Sequence, residues 1–150
     1  MPCLETDLLA DLIQRRHRCL IEMRALGLKQ DSLIRQGDIT RLLETLTAKQ
    51  KQMEQLQEID SELNPFRQQS PESRHWRNAE TRARCAALIS ESETLLAEIV
   101  AQEKQSEAEL CRRRDEASAR LQGFHTASQT RGAYAKQAMH RGRLDMSSEG

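Results

Sequence analysis

Between Glu72 and Gln122 the chain runs for 51 residues without a glycine or a proline. As a single helix rising about 1.5 Å per residue, that stretch would be roughly 75 Å long. The two helical segments before it would reach only about 40 to 50 Å. A hairpin of the first two therefore cannot cover the whole of the third, and the mismatch predicts a bundle whose last helix runs on past its partners. Aromatic residues are only 3% of the chain, too few large fillers for a broad globular core. No window approaches the roughly 20 apolar residues of a membrane span.

The first helix is predicted over about 5–36. Leu12, Cys19, Leu26 and Leu33 repeat every seven residues, and so do Ile13, Leu20, Gly27 and Ile34. Two adjacent apolar columns make a stripe wider than a two-stranded seam needs, and suit a bundle of three or more helices. Thr6 is the expected N-cap, with Asp7 and Asp11 at the positive end of the helix dipole. Gly37-Asp38 reads as a stop followed by a new cap, which predicts an antiparallel hairpin; one continuous helix through Gly37 is the alternative. The second helix, about 38–64, carries Ile39, Leu42, Leu43, Leu46, Met53, Leu56, Ile59 and Leu63. Lys49 and Gln50 interrupt this stripe, and Lys49 is expected to lay its stem on apolar surface and keep its ammonium wet.

Pro65 and Pro71 bracket the clearest break. Ser70-Pro71-Glu72 has the form of a helix start, so the third helix is predicted over 71–124, with Trp76 as an anchor between helices. Its apolar stripe is dense as far as Val100, falls to alanines alone over AQEKQSEAE, and resumes thinly at Leu110, Ala117, Leu121 and Phe124. Residues 125–150, which include three glycines, read as a flexible basic tail. Residues 37–110 hold nine basic and 14 acidic side chains, whereas 111–143 hold eight and two. The expected fold class is thus an all-α, antiparallel three-helix, coiled-coil-like bundle over 1–124, with an extended third helix and a flexible tail.

The residues that carry chemistry elsewhere are not arranged for it here. The histidines show no HxxxH or HExxH spacing, no glycine-rich phosphate loop occurs, and the four cysteines form no CxxC. The reading is not an enzyme, with no cofactor and no metal. Cys19 and Cys85 are expected to pack as small, reduced apolar side chains. The start MPCLETDLLADL lacks the features of a secretory signal, so a cytoplasmic location is expected. Net charge is zero, and Arg112-Arg113-Arg114 is read as a solvated face partly neutralised by Asp115 and Glu116, without nucleic-acid binding.

Three features resemble the FlgN-type flagellar export chaperones, small helical escorts of hook–filament junction proteins. One is the stretch GDITRLLETLTAKQKQMEQLQEIDSELNPFR, a Leu-rich helix with a central Lys (Lys49 or Lys51) and an Arg near its end. Another is Arg74-His75-Trp76 at the start of the third helix. The last is a long final helix followed by Arg131-Gly132-Ala133-Tyr134. The resemblance implies a cytosolic chaperone that binds the C-terminal amphipathic helices of its clients and delivers them to the export gate. The client would pack on Ile99, Val100, Leu110, Ala117, Leu121 and Phe124 in the manner of an amphipathic helix in an apolar groove. Tyr134 would be the contact to the gate. The alternative is a homodimeric structural coiled coil, in which the same stripe pairs with a second copy and no client exists.

Overall fold

Both apolar columns of the first helix are used, each by a different neighbour. The computed structural model describes residues 4–148, with side chains through 139. Among the described residues there are three α-helices and a single 3-10 turn: α1 (Glu5–Gln36), α2 (Ile39–Arg67), the turn Pro71–Ser73, and α3 (Ala79–Ser148). Contacts divide it into two compact units, residues 1–108 and 109–150. The first unit is an all-α bundle of α1, α2 and the opening part of α3.

On α1, Leu12, Cys19 and Leu33 are buried, as are Ile13, Leu20, Gly27 and Ile34. One column meets α2, where the Cys19 thiol donates to the Gln52 carbonyl at 3.2 Å. The other meets α3, where Gly27 lies so close to the Gln102 side chain that an added Cβ would be 2.5 Å from its oxygen. The core cluster joins Leu9, Leu12, Leu20 and Met23 of α1 to Ile59, Leu63 and Phe66 of α2 and to Cys85, Leu95 and Ile99 of α3. Cys19 and Cys85 are free and buried, and burial pushes both thiols above the usual range.

The hairpin forms as the sequence predicts. Gly37 adopts φ 72°, the left-handed conformation that a residue with a Cβ resists. Asp38 then caps α2 by accepting the Arg41 N–H at 3.2 Å. Leu33, Ile34 and Leu42 close this end with a small apolar cluster of their own.

Other boundaries differ from expectation, each for a tertiary reason. Thr6 does not cap α1. Its hydroxyl instead donates to the His75 carbonyl at 2.7 Å, while Asp7 accepts the Leu4 N–H at 3.0 Å. The helix α2 continues through Pro65 to Arg67, because the extra turn carries Phe66 into the core. The segment at Pro71 makes only one 3-10 turn and α3 begins at Ala79, where Asn78 accepts the Thr81 N–H at 2.7 Å. The intervening residues are held by tertiary contacts: Arg74 donates to the Phe66 carbonyl at 2.6 Å, and Trp76, half-buried, packs against the core. Arg77 grips Asp7 at 2.6 Å, and its hydrogen bonds hold that carboxyl below the usual carboxylate range.

Residues 125–148, expected as a flexible tail, continue α3 as helix; the final two residues of that expectation lie outside the described residues. Alanine, glutamine, arginine and methionine favour helix strongly enough here to carry it past Gly123 and Gly132. Those glycines have no neighbour within 4 Å of an added Cβ.

Leu20 is fully buried where the three helices meet. Leu20→Ala is expected to lower the unfolding free energy by about 2 to 5 kcal/mol, measured by urea denaturation. A loss below about 1 kcal/mol would contradict its place at the centre of the core.

Candidate functional site

The stretch AQEKQSEAE is poor in apolar residues because it meets polar partners on the hairpin. Lys49 of α2 is 7% exposed. Its ammonium donates to the Gln30 side-chain carbonyl of α1 at 2.7 Å and pairs with the Glu103 carboxylate of α3. The expectation of a wet ammonium is therefore corrected: the Gln30 and Glu103 side chains close around it, so the charge is satisfied internally. Burial pulls the Lys49 ammonium below the usual lysine range, and the adjacent carboxylate opposes that pull. Thr45 and Ser106 are buried in the same region of their helices. In the sequence the layer is visible only as two separate polar interruptions of apolar stripes, one on α2 and one on α3, and their pairing is a tertiary fact.

The proposed client-binding residues separate. Ile99 is 5% exposed and belongs to the core, which corrects its assignment as a contact residue: it points at the hairpin and is unavailable to a partner. Val100, one residue on, is 46% exposed.

Leu110, Ala117, Leu121 and Phe124 lie in the second unit. Their spacings of seven, four and three place them within about 60° of one another around the helix. Leu121 and Phe124 are each 70% exposed. Tyr134 is also exposed, but it sits roughly 100° away from this line. It is therefore not part of the same face.

Beside the stripe, the arginine triplet is tied into ion pairs along the helix. Arg112 bonds Glu109 at 2.7 Å and Glu116 at 2.6 Å, Arg113 bonds Glu109 at 3.0 Å, and Arg114 meets Asp115 at 3.3 Å. Asp115 and Glu116 neutralise the triplet as expected, and Glu109 is the partner the sequence reading overlooked. The two guanidiniums hold the Glu109 carboxyl at about 2, against an ordinary 4.5.

Two further observations bound the chemistry. Among the described residues no group of three His, Cys, Asp or Glu side chains could hold a metal ion. No helix of the described residues is long and apolar enough to cross a membrane. Compared with known protein families, curated proteins and solved structures, the chain matches none.

Two measurements check these electrostatics. Replacing Glu103 with Ala strands the Lys49 ammonium. Breaking a buried pair costs about 3 to 5 kcal/mol, and the half-exposed carboxylate reduces this to about 1 to 2. Lys49→Met combined with Gln30→Leu, which removes the buried carbonyl that Lys49 bonds, leaves only a carboxylate that water can reach, and should fall within about 1 kcal/mol of the parent. Equal losses for the two variants would contradict burial of the charge. For Glu109, the depressed value means that its ion pairs support the helix above pH 4.5 and fail as the pH drops through about 2. An NMR titration of the side-chain carboxyl should show that low midpoint, and Arg112→Gln should raise it; a midpoint near 4.5 would refute the pairing.

Proposed function

We propose that this protein is an export chaperone of the FlgN type, which receives an amphipathic client helix on the part of α3 from residue 109 onward, here called the arm. The observation that carries this reading is the pair Leu121 and Phe124, each 70% exposed on one face of a strongly polar helix. Apolar side chains in such a line are a receptor for the apolar face of another helix. On the resemblance noted above, the clients are the C-terminal helices of hook–filament junction proteins, and delivery to the export gate involves Tyr134 as a separate contact off the stripe.

The charge of the arm narrows the client further. Between Glu109 and Met139 there are six basic side chains (Arg112, Arg113, Arg114, Arg120, Arg131, Lys136) and three acidic ones (Glu109, Asp115, Glu116). A client helix with acidic residues flanking its apolar face is therefore favoured. Magnitudes limit the affinity. Full burial of Leu121 or Phe124 contributes about 1.5 to 3 kcal/mol each, and Leu110 and Ala117 add less. Against the association cost of about 4 kcal/mol or more, these side chains alone leave about a millimolar complex, and the client's own apolar residues must contribute as much again to bring it into the micromolar range. Weak capture suits a protein that must hand its cargo on.

The test is light scattering after size-exclusion chromatography, on the full chain alone and mixed with C-terminal peptides of the organism's hook–filament junction proteins. A new 1:1 species supports the reading. A tight homodimer that no peptide disturbs would sink it and leave a structural coiled coil. Leu121→Glu with Phe124→Glu is expected to abolish peptide binding and to leave far-UV helicity nearly unchanged. Undiminished binding would remove this stripe from the site.

A further inference from the structure

A second apolar surface lies in the three-helix unit. The inward face of α2 follows a strict heptad. Leu42, Lys49, Leu56 and Leu63 form one column and Thr45, Gln52, Ile59 and Phe66 the other, all buried or half-buried. Immediately beside these columns runs the row Ile39, Leu46, Met53, Asp60 and Arg67, also repeating every seven residues. Its three apolar members are exposed. On α3 the residues Ile89, Glu93, Leu96, Val100 and Glu103 follow one another at i, i+4, i+7, i+11 and i+14, which is a single helical face. Its apolar members, Ile89, Leu96 and Val100, are exposed as well.

Two tie points set these rows against each other. Near one end Lys49 of α2 pairs with Glu103 of α3. Near the other, Phe66 and Arg67 line the same cleft as Ile89, Ser92 and Glu93. Residue numbers fall along α2 as they rise along α3, so the helices are antiparallel and Met53 comes level with Val100. The rows therefore border an open seam between α2 and α3, apolar through its middle.

The cleft at the far end has a volume of about 270 Å³ and reaches in to Leu9 and Ile13 of α1. Three guanidiniums surround it. Arg16 and Arg67 both bond the Asp60 carboxylate at 3.0 Å, and Arg74 donates to the Phe66 carbonyl. Two polar atoms of the lining are buried without a hydrogen-bond partner, the Arg74 Nε and the Ser92 hydroxyl. Ser92 itself is 1% exposed. Such groups are ordinarily satisfied, and two in one cleft ask for an acceptor from outside. Against three cations the lining offers only Glu93, with Asp60 between Arg16 and Arg67, so the missing acceptor is anionic.

We propose that this seam docks an amphipathic helix of a partner protein as the fourth helix of the bundle. The apolar face of that helix covers Leu46, Met53, Leu96 and Val100. A carboxylate at its end enters the cleft among Arg16, Arg67 and Arg74. Charge complementarity selects a partner over a second copy of this chain. A two-fold contact of row on row would set Arg67 of one copy against Ile39 of the other, and an apolar side chain cannot satisfy the cleft.

The experiment uses the full chain and a labelled three-heptad peptide with leucine at its core positions and glutamate as its last residue, carrying a free C-terminus. A companion peptide has glutamine last and an amidated C-terminus, and two further peptides carry one of the two carboxylates each, to say which one is read. Fluorescence anisotropy should show saturable binding of the acid peptide and at least tenfold weaker binding of the neutral companion. Val100→Glu should weaken the acid peptide at least tenfold, and so should Met53→Glu; both positions are exposed, so folding is checked by circular dichroism and at least one variant remains informative. Leu121→Glu with Phe124→Glu should leave this binding unchanged, which separates the seam from the arm. Equal affinity for acid and neutral peptides would overturn the carboxylate assignment. Unaltered binding by well-folded Val100→Glu and Met53→Glu would overturn the seam, as would no binding at all. A dimer of the parent chain that Val100→Glu dissociates, with no peptide bound, would assign the surface to a second copy and overturn the proposal.

Discussion

The ammonium of Lys49 has to meet an anion, and the register of α3 on the hairpin is the one that supplies it. The apolar contacts oppose a slip as well, since moving α3 by three or four residues would set Glu91, Glu98 or Glu103 where Leu95 or Ile99 now sits, or Arg82 where Cys85 does. The same slip would carry Glu103 away from Lys49 and leave a charge buried among Gln30, Thr45 and the core. The penalty for an uncompensated buried charge exceeds what one displaced alanine or cysteine contributes. A chain with so few aromatic residues thus fixes its packing with polar contacts, much as a single polar core position sets register in a coiled coil.

This way of holding the bundle together explains where apolar surface is left over. α1 has two apolar columns and spends them on two neighbours. α2 has an inward heptad and a second, outward row of Ile39, Leu46 and Met53, and α3 has a matching row in Leu96 and Val100. Three helices bury the inward faces and leave these rows in the open. The arm presents a different stripe, thinner and more basic, around Leu121 and Phe124. Exposed apolar lines of this kind are expected of proteins that work by lending a surface to another helix.

Several structural boundaries record local signals overruled by contacts distant in sequence. Ser70-Pro71-Glu72 has the residues of a helix start, yet the chain turns once and leaves, since Arg74 and Trp76 are more favourably placed against Phe66 and the core. Pro65 should end α2, but Phe66 gains burial by one more turn. Thr6 gives up a cap for the carbonyl of His75. The caps at Thr6 and Ser70 are worth about 1 kcal/mol each; Thr6 recovers its hydrogen bond at the His75 carbonyl, and full burial of a large side chain such as Phe66 contributes about 1.5 to 3 kcal/mol. The candidate site shows the same division. Exposure of Leu121 and Phe124 followed from a thin stripe, while the fate of Ile99 and Val100, adjacent in sequence, depended on which one faced the hairpin.

By itself the sequence determined the helices, the hairpin at Gly37-Asp38 and the double column of α1, because helical periodicity, glycine at a left-handed position and Asp at a cap act within a few residues. It also determined that a long third helix must exist, since 51 residues without Gly or Pro leave little else. Only the tertiary structure decided that Lys49 is paired inside and not wet, that Gly27 admits Gln102, and that the α2 stripe divides into a buried heptad and an exposed row. Those outcomes depend on which face of one helix meets which face of another. Periodicity states that a helix has an apolar face; it does not state what lies opposite, and burial, charge pairing and exposed surface are properties of the opposition.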